Sequence, residues 1–76
     1  MADEYLKCIK SLYKSTYKRL AFNKNNKKYK VLEKDWIGLN GKKYLFVEDN
    51  LNQSFSFSMI PDEIHYYMFD YFKQER

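Results

Sequence analysis

The chain has 76 residues, with fourteen Lys/Arg against ten Asp/Glu, one histidine, one cysteine and a net charge of +4. A single cysteine excludes an intrachain disulfide framework, and one histidine beside it leaves no ligand set for a structural zinc site. No apolar run approaches the ~20 residues of a membrane-spanning helix, and a chain this short is expected to form one domain over residues 1–76.

Eight Tyr, six Phe and one Trp must carry the core, each able to bury roughly 150–250 Å². The opening Met1-Ala2-Asp3-Glu4 is acidic where a secretory signal would be basic, so a cytoplasmic protein with no membrane association is expected. The heavy use of Lys, Asn, Tyr and Phe fits an AT-rich genome, such as that of a low-GC bacterium or of its phages and plasmids. Charge is unevenly placed: residues 1–30 hold nine bases and two acids, a net +7, and residues 31–76 hold five bases and eight acids, a net −3.

From residue 3 to about residue 22 the apolar spacing is helical. At 100° per residue, Tyr5, Leu6, Ile9, Leu12, Tyr13, Tyr17 and Leu20 fall within an arc of about 140°. Lys7, Lys10, Lys14 and Lys18 fall opposite, and Asp3 and Glu4 sit in the first turn, where the helix dipole favours acids. Asn23 to Lys28 then reads as a polar linker.

Tyr29 to Leu39 reads as a strand, Asn40-Gly41 as a two-residue type I′ turn, and Lys42 to Glu48 as the returning strand. That turn sets Trp36 opposite Leu45 and Ile37 opposite Tyr44. A five-residue loop, Asp49 to Gln53, leads to the strictly alternating strand Ser54 to Met59. Closing it places Val47 near Phe55 and Leu45 near Phe57. Trp36, Leu45, Val47, Phe55, Phe57 and Met59 are then expected to share one face, with Ile37, Tyr44 and Phe46 on the other. Pro61, Asp62 and Glu63 suit the start of a second helix, whose apolar arc holds Ile64, Tyr67, Met68, Tyr71 and Phe72, widened by His65 and Phe69. The expected fold is therefore α+β in the order α-β-β-β-α, a three-stranded antiparallel meander with two helices packed on one face.

Lys43-Tyr44-Leu45-Phe46-Val47 resembles the RNP1 stretch of RNA-recognition motifs over five residues, without that motif's glycine. The element order resembles the double-stranded-RNA-binding domain, a family that grips phosphates with lysines at the start of its second helix. Here that position reads Pro61-Asp62-Glu63-Ile64-His65, which is acidic, so the resemblance implies the topology and not the activity.

Two functions are expected from these features. The first is nucleic-acid association, driven by charge through Lys7, Lys10, Lys14, Lys18, Lys24, Lys27 and Lys28. The second is a phage- or plasmid-type module that binds and modulates a host protein through the aromatic C-terminal helix at Tyr66, Tyr67 and Phe69. Its simplest form is a homodimer. No enzyme activity, cofactor or metal is expected: His65 has no nucleophile at a recognisable spacing, and Gly38 and Gly41 belong to the hairpin rather than to a phosphate-binding loop.

Overall fold

The computed structural model describes residues 4–16, 18–24 and 28–73. Among the described residues are six strands and one short helix: β1 (Tyr5–Lys7), β2 (Leu12–Lys14), β3 (Arg19–Phe22), β4 (Lys28–Ile37), β5 (Lys43–Glu48), β6 (Ser54–Ser58) and α1 (Met68–Tyr71). The strands form an antiparallel sheet in the order β1-β4-β5-β6 and a separate β2-β3 hairpin. The expected α+β arrangement of two helices on a meander is thus overturned, and the molecule is mostly β.

The first expected helix is replaced by β1, β2 and β3. Residues 5–8 also alternate with a period of two. In the folded chain Leu6 and Cys8 are buried while Tyr5 is 47% exposed. Ile9, Tyr13 and Leu20, which a helix would place in its apolar arc, are exposed as well. Short segments rich in aromatic and branched residues suit either period, and pairing decides between them. β1 lies against the start of β4, with Leu6 opposite Tyr29. The second expected helix shrinks to α1. The Asp62 carboxylate accepts the Ile64 and His65 amides, giving residues 62–65 a side-chain-bonded turn instead of a helical one. Ser58 N–H donates to Tyr66 O, and Tyr67 is extended.

The central meander forms as expected. Val47 faces Phe55 and Leu45 faces Phe57. The β4-β5 turn differs. Gly38 N–H donates to Lys42 O and Gly41 N–H to Gly38 O, so the loop has three residues, with Gly41 alone at positive φ (+79°). This is the three-residue hairpin with glycine in the left-handed position. It shifts the register by one, pairing Trp36 with Tyr44 and Ile37 with Lys43. A one-residue slip exchanges the faces of a strand, so Trp36 joins Tyr44 and Phe46 on the outer face and remains 42% exposed. Gly38 is constrained too, since a Cβ there would lie 2.9 Å from the Tyr44 ring.

The C-terminal segment links the two outer strands of the sheet. Ile9 N–H donates to Tyr71 O and Lys73 N–H to Lys7 O, while Ser58 is bridged to Tyr67 at the β6 side. The enclosed core contains Leu6, Cys8, Leu12, Leu45, Val47, Phe57, Met68 and Phe72, with Phe22 of the hairpin at its centre. Among the described residues no helix is long and apolar enough to cross a membrane.

Phe22→Ala is expected to cost about 3–5 kcal/mol, a large share of what a chain this size holds at ~0.05–0.15 kcal/mol per residue. Urea denaturation followed by tyrosine fluorescence checks this. The buried Tyr29 hydroxyl donates to Asn50 Oδ1 (2.9 Å) and accepts from Asn23 N–H (2.6 Å). Tyr29→Phe removes both of these buried hydrogen bonds and is expected to cost about 1–3 kcal/mol. Burial raises the Tyr29 phenol above its ordinary 10.0. The unfolded chain therefore ionises first, and stability is lost as pH rises above that value. Alkaline unfolding curves of the wild type and Tyr29→Phe should diverge there, the variant having the shallower slope.

Candidate functional site

Strand formation redistributes the lysines expected on one helical face. Lys7 sits on the outer face of β1, directly opposite Lys28 of β4, with Tyr5 opposite Lys30 beside them. Cys8 bridges Phe72, and Lys73 N–H donates to Lys7 O, so Lys73 lies across from Lys7 on its other side. The backbone register thus sets Lys73, Lys7 and Lys28 in one row across three extended segments. Neither Lys7 nor Lys28 has a carboxylate within ion-pair distance among the described residues. A hollow of about 200 Å³ adjoins this face, lined by Tyr5, Lys28 and Lys30 together with Glu48 and Asn52.

The other expected lysines lie elsewhere. Lys10 stands over the Tyr71 ring and Lys14 over the Phe55 ring, each 5.3 Å from the centroid. Lys18 occupies the β2-β3 turn at φ +52°. Lys24 N–H donates to Ser11 Oγ. Lys27 lies outside the described residues. Among the six described lysines no continuous stripe forms; two separate groups stand in its place, Lys7 with Lys28 and Lys10 with Lys14.

Of the three C-terminal aromatics, Tyr66 alone is exposed, at 47%. Tyr67 and Phe69 pack against the core, their rings perpendicular at 5.6 Å. Tyr66 leans on Phe55 (5.9 Å) and Tyr71 (5.5 Å). With the flanking lysines this gives the row Lys10, Tyr71, Tyr66, Phe55, Lys14, in which Tyr71 is buried and Tyr66 exposed. On either side of Tyr66, Phe55 and Lys14 lie two clefts of about 290 and 210 Å³. One is bounded by Ser54, Ser56, Ile64 and His65, the other by Tyr13, Ser15 and Thr16. No carboxylate lines either cleft among the described residues.

Sequence reasoning missed Tyr5, which joins Lys7, Lys28 and Lys30, and Tyr13, which joins Tyr66. The alternation Tyr5-Leu6-Lys7-Cys8 carried the signal for the first group. His65 packs edge-on against Tyr44 (5.2 Å), with Nδ1 3.5 Å from Asp62 Oδ2. Among the described residues no three His, Cys, Asp or Glu side chains converge as metal ligands. No family model matches the chain, and neither a curated protein nor a solved structure matches it significantly.

Asp62 holds the cleft wall in place. Its carboxyl is kept well below the usual carboxylate range, first by the Ile64 amide and then by the Lys42 ammonium, which also reaches it at 3.2 Å. A depressed carboxyl adds stability above its unfolded value, near 3.8, and loses that contribution as pH falls. Asp62→Ala is expected to lower stability above pH ~4 and to flatten the acid limb below it, as read by acid titration of circular dichroism.

Proposed function

We propose that this chain is a binding protein whose β1-β4 face takes a nucleic-acid backbone by charge. The carrying observation is the opposed pair Lys7 and Lys28, extended by Lys73 and Lys30. Like charges directly opposite on a sheet are destabilising by about 0.2–1 kcal/mol. A phosphate between the strands turns that cost into attraction and releases counterions. Tyr5, exposed on the same face, supplies a ring for a base or sugar edge. Glu48 and Asp49 also line the adjoining hollow, so the phosphate path is assigned to the Lys73, Lys7 and Lys28 row and not to the hollow.

Fluorescence polarisation with a labelled oligonucleotide tests this reading. Affinity is expected to fall steeply with salt and to depend little on sequence. The double variant Lys7→Gln/Lys28→Gln is expected to lower the slope of log K against log salt by about 1.4 on a single strand or 1.8 on a duplex. Lys28→Glu is expected to stabilise the fold by about 0.2–1 kcal/mol while weakening binding. Absence of binding at low salt, or a slope indifferent to the double variant, sinks the proposal.

A second reading is favoured by Tyr66 and its clefts: a protein-interaction face. An exposed tyrosine held against two other rings is already ordered, and it offers area at low entropy cost.

A further inference from the structure

The hollow beside the lysine row has a chemistry unlike that of the row. Tyr5, Lys28 and Lys30 bound it on one side, Glu48, Asp49 and Asn52 on the other. Val31 pairs with Val47, so the register sets Glu48 beside Lys30 on the outer face, with Tyr5 beyond on β1. The Glu48 carboxylate has no hydrogen bond or ion pair among the described residues.

Asp49 carries a second unmet acceptor in the same wall, and it is only 3% exposed. Its Oδ1 accepts the Leu51 and Gln53 amides, both at 2.9 Å, while the buried Oδ2 meets no donor. Buried polar atoms are nearly always hydrogen-bonded, so an orphaned carboxylate oxygen here marks a place for a donor from outside the chain. The loop is already fixed: Asp49 N–H donates to Gln53 O, Asn52 N–H to Asp49 O, and Asn52 stands at φ +60°. Asn52 is exposed and adds a side-chain amide at the rim.

We propose that the hollow seats one unpaired guanine of a single strand whose phosphates follow Lys73, Lys7 and Lys28, a proposal that rests on the nucleic-acid reading. Cations in the row and unmet acceptors beside it suit a ligand with phosphate at one end and N–H donors at the other. Guanine turns N1–H and its N2 amino group the same way, a pair of donors that matches the two oxygens of the Glu48 carboxylate. The second N2 hydrogen remains for the Asp49 side, and O6 and N7 accept from the Asn52 amide. Adenine and cytosine offer one amino group beside a ring-nitrogen acceptor, and thymine or uracil one imino group between two carbonyls. Each of these sets an acceptor against the carboxylate. Tyr5, on the outer face, stacks on the base. The row supplies affinity without regard to sequence, and the hollow adds a preference at one position of the strand.

Fluorescence polarisation compares an oligothymidine strand with the same strand carrying one central guanine, deoxyinosine or adenine. The guanine strand is expected to bind about tenfold tighter than the thymine and adenine strands. Deoxyinosine lacks the N2 amino group and loses most of that step, and annealing a complementary strand hides the edge and removes it. Glu48→Gln is expected to abolish the step while tightening binding of the thymine strand, since an acid beside the lysine row is gone. If Glu48→Gln fails to fold, deoxyinosine against guanine on the wild-type chain decides alone. Equal binding of all strands with a steep salt slope overturns the base site and spares the lysine row. Binding of no strand at low salt overturns both. A step that persists in Glu48→Gln, or that deoxyinosine keeps in full, overturns the guanine assignment. Selective broadening of the Leu51 and Asn52 amide signals by manganese(II), with no guanine step, assigns the hollow to a divalent cation and overturns the base.

Discussion

Phe22 is fully buried although it lies on a hairpin that belongs to neither edge of the main sheet. Its ring meets Tyr29, Phe55, Phe57 and Phe72 edge-on, at centroid distances of 4.7, 5.4, 5.3 and 5.4 Å. Those four rings come from β4, β6 and the C-terminal segment, so one side chain joins the hairpin to all three. Aromatic pairs in this geometry add about 0.5–1.5 kcal/mol each beyond the area they bury. In a chain without a disulfide or a second helix layer, this contact holds the hairpin against the sheet. Ala21 and Leu12 are buried as a consequence. So is the Tyr29 hydroxyl network, which ties Asn23 to Asn50 across the same end of the molecule.

The surface follows from what this core claims. Burying Leu6, Cys8 and Tyr29 forces Tyr5, Lys7, Lys28 and Lys30 outward, since adjacent residues of a strand face opposite sides. Burying Phe72 and Met68 draws the C-terminal segment across β1, which brings Lys73 beside Lys7 and leaves Tyr66 standing at the β6 edge. The two proposed surfaces are thus by-products of one packing solution, and they lie on different strands, β1-β4 and β6. Each can be altered without emptying the core, because Lys7, Lys28, Ser56 and Tyr66 all project away from Phe22's neighbours or lie at their margin.

The meander was the part of the fold legible in the sequence. Ser54 to Met59 alternates strictly, and Val47, Phe55, Leu45 and Phe57 pair as that alternation requires. The turn residues Asn40 and Gly41 marked the hairpin but not its loop length. One added loop residue moved Trp36 to the outer face. The candidate site was legible only in pieces. Lys7 and Lys28 were named, yet the first on a helix face and the second in the linker after it, and their opposition across two strands depends on residues far apart in the chain. Tyr66 was named with Tyr67 and Phe69, two rings that the core absorbs. Residues 3–22 offered two periods at once. The helical one is broader, but it would bury Tyr5, Ile9, Tyr13 and Leu20, all exposed in the fold.

By itself the sequence determined the β4-β5-β6 meander, the reliance on aromatic packing and the basicity of the first thirty residues. These follow from local alternation, turn chemistry and composition, which no distant contact can change. Only the tertiary structure decided that the first segment is strands, that the last keeps just one short helix, and which lysines and tyrosines share a surface. Each of those outcomes depends on backbone pairing between segments remote in sequence: β1 with β4, residues 71–73 with residues 7–9, and Ser58 with Tyr66. A short amphipathic segment takes the period its partner imposes, and that partner is known only once the chain has folded.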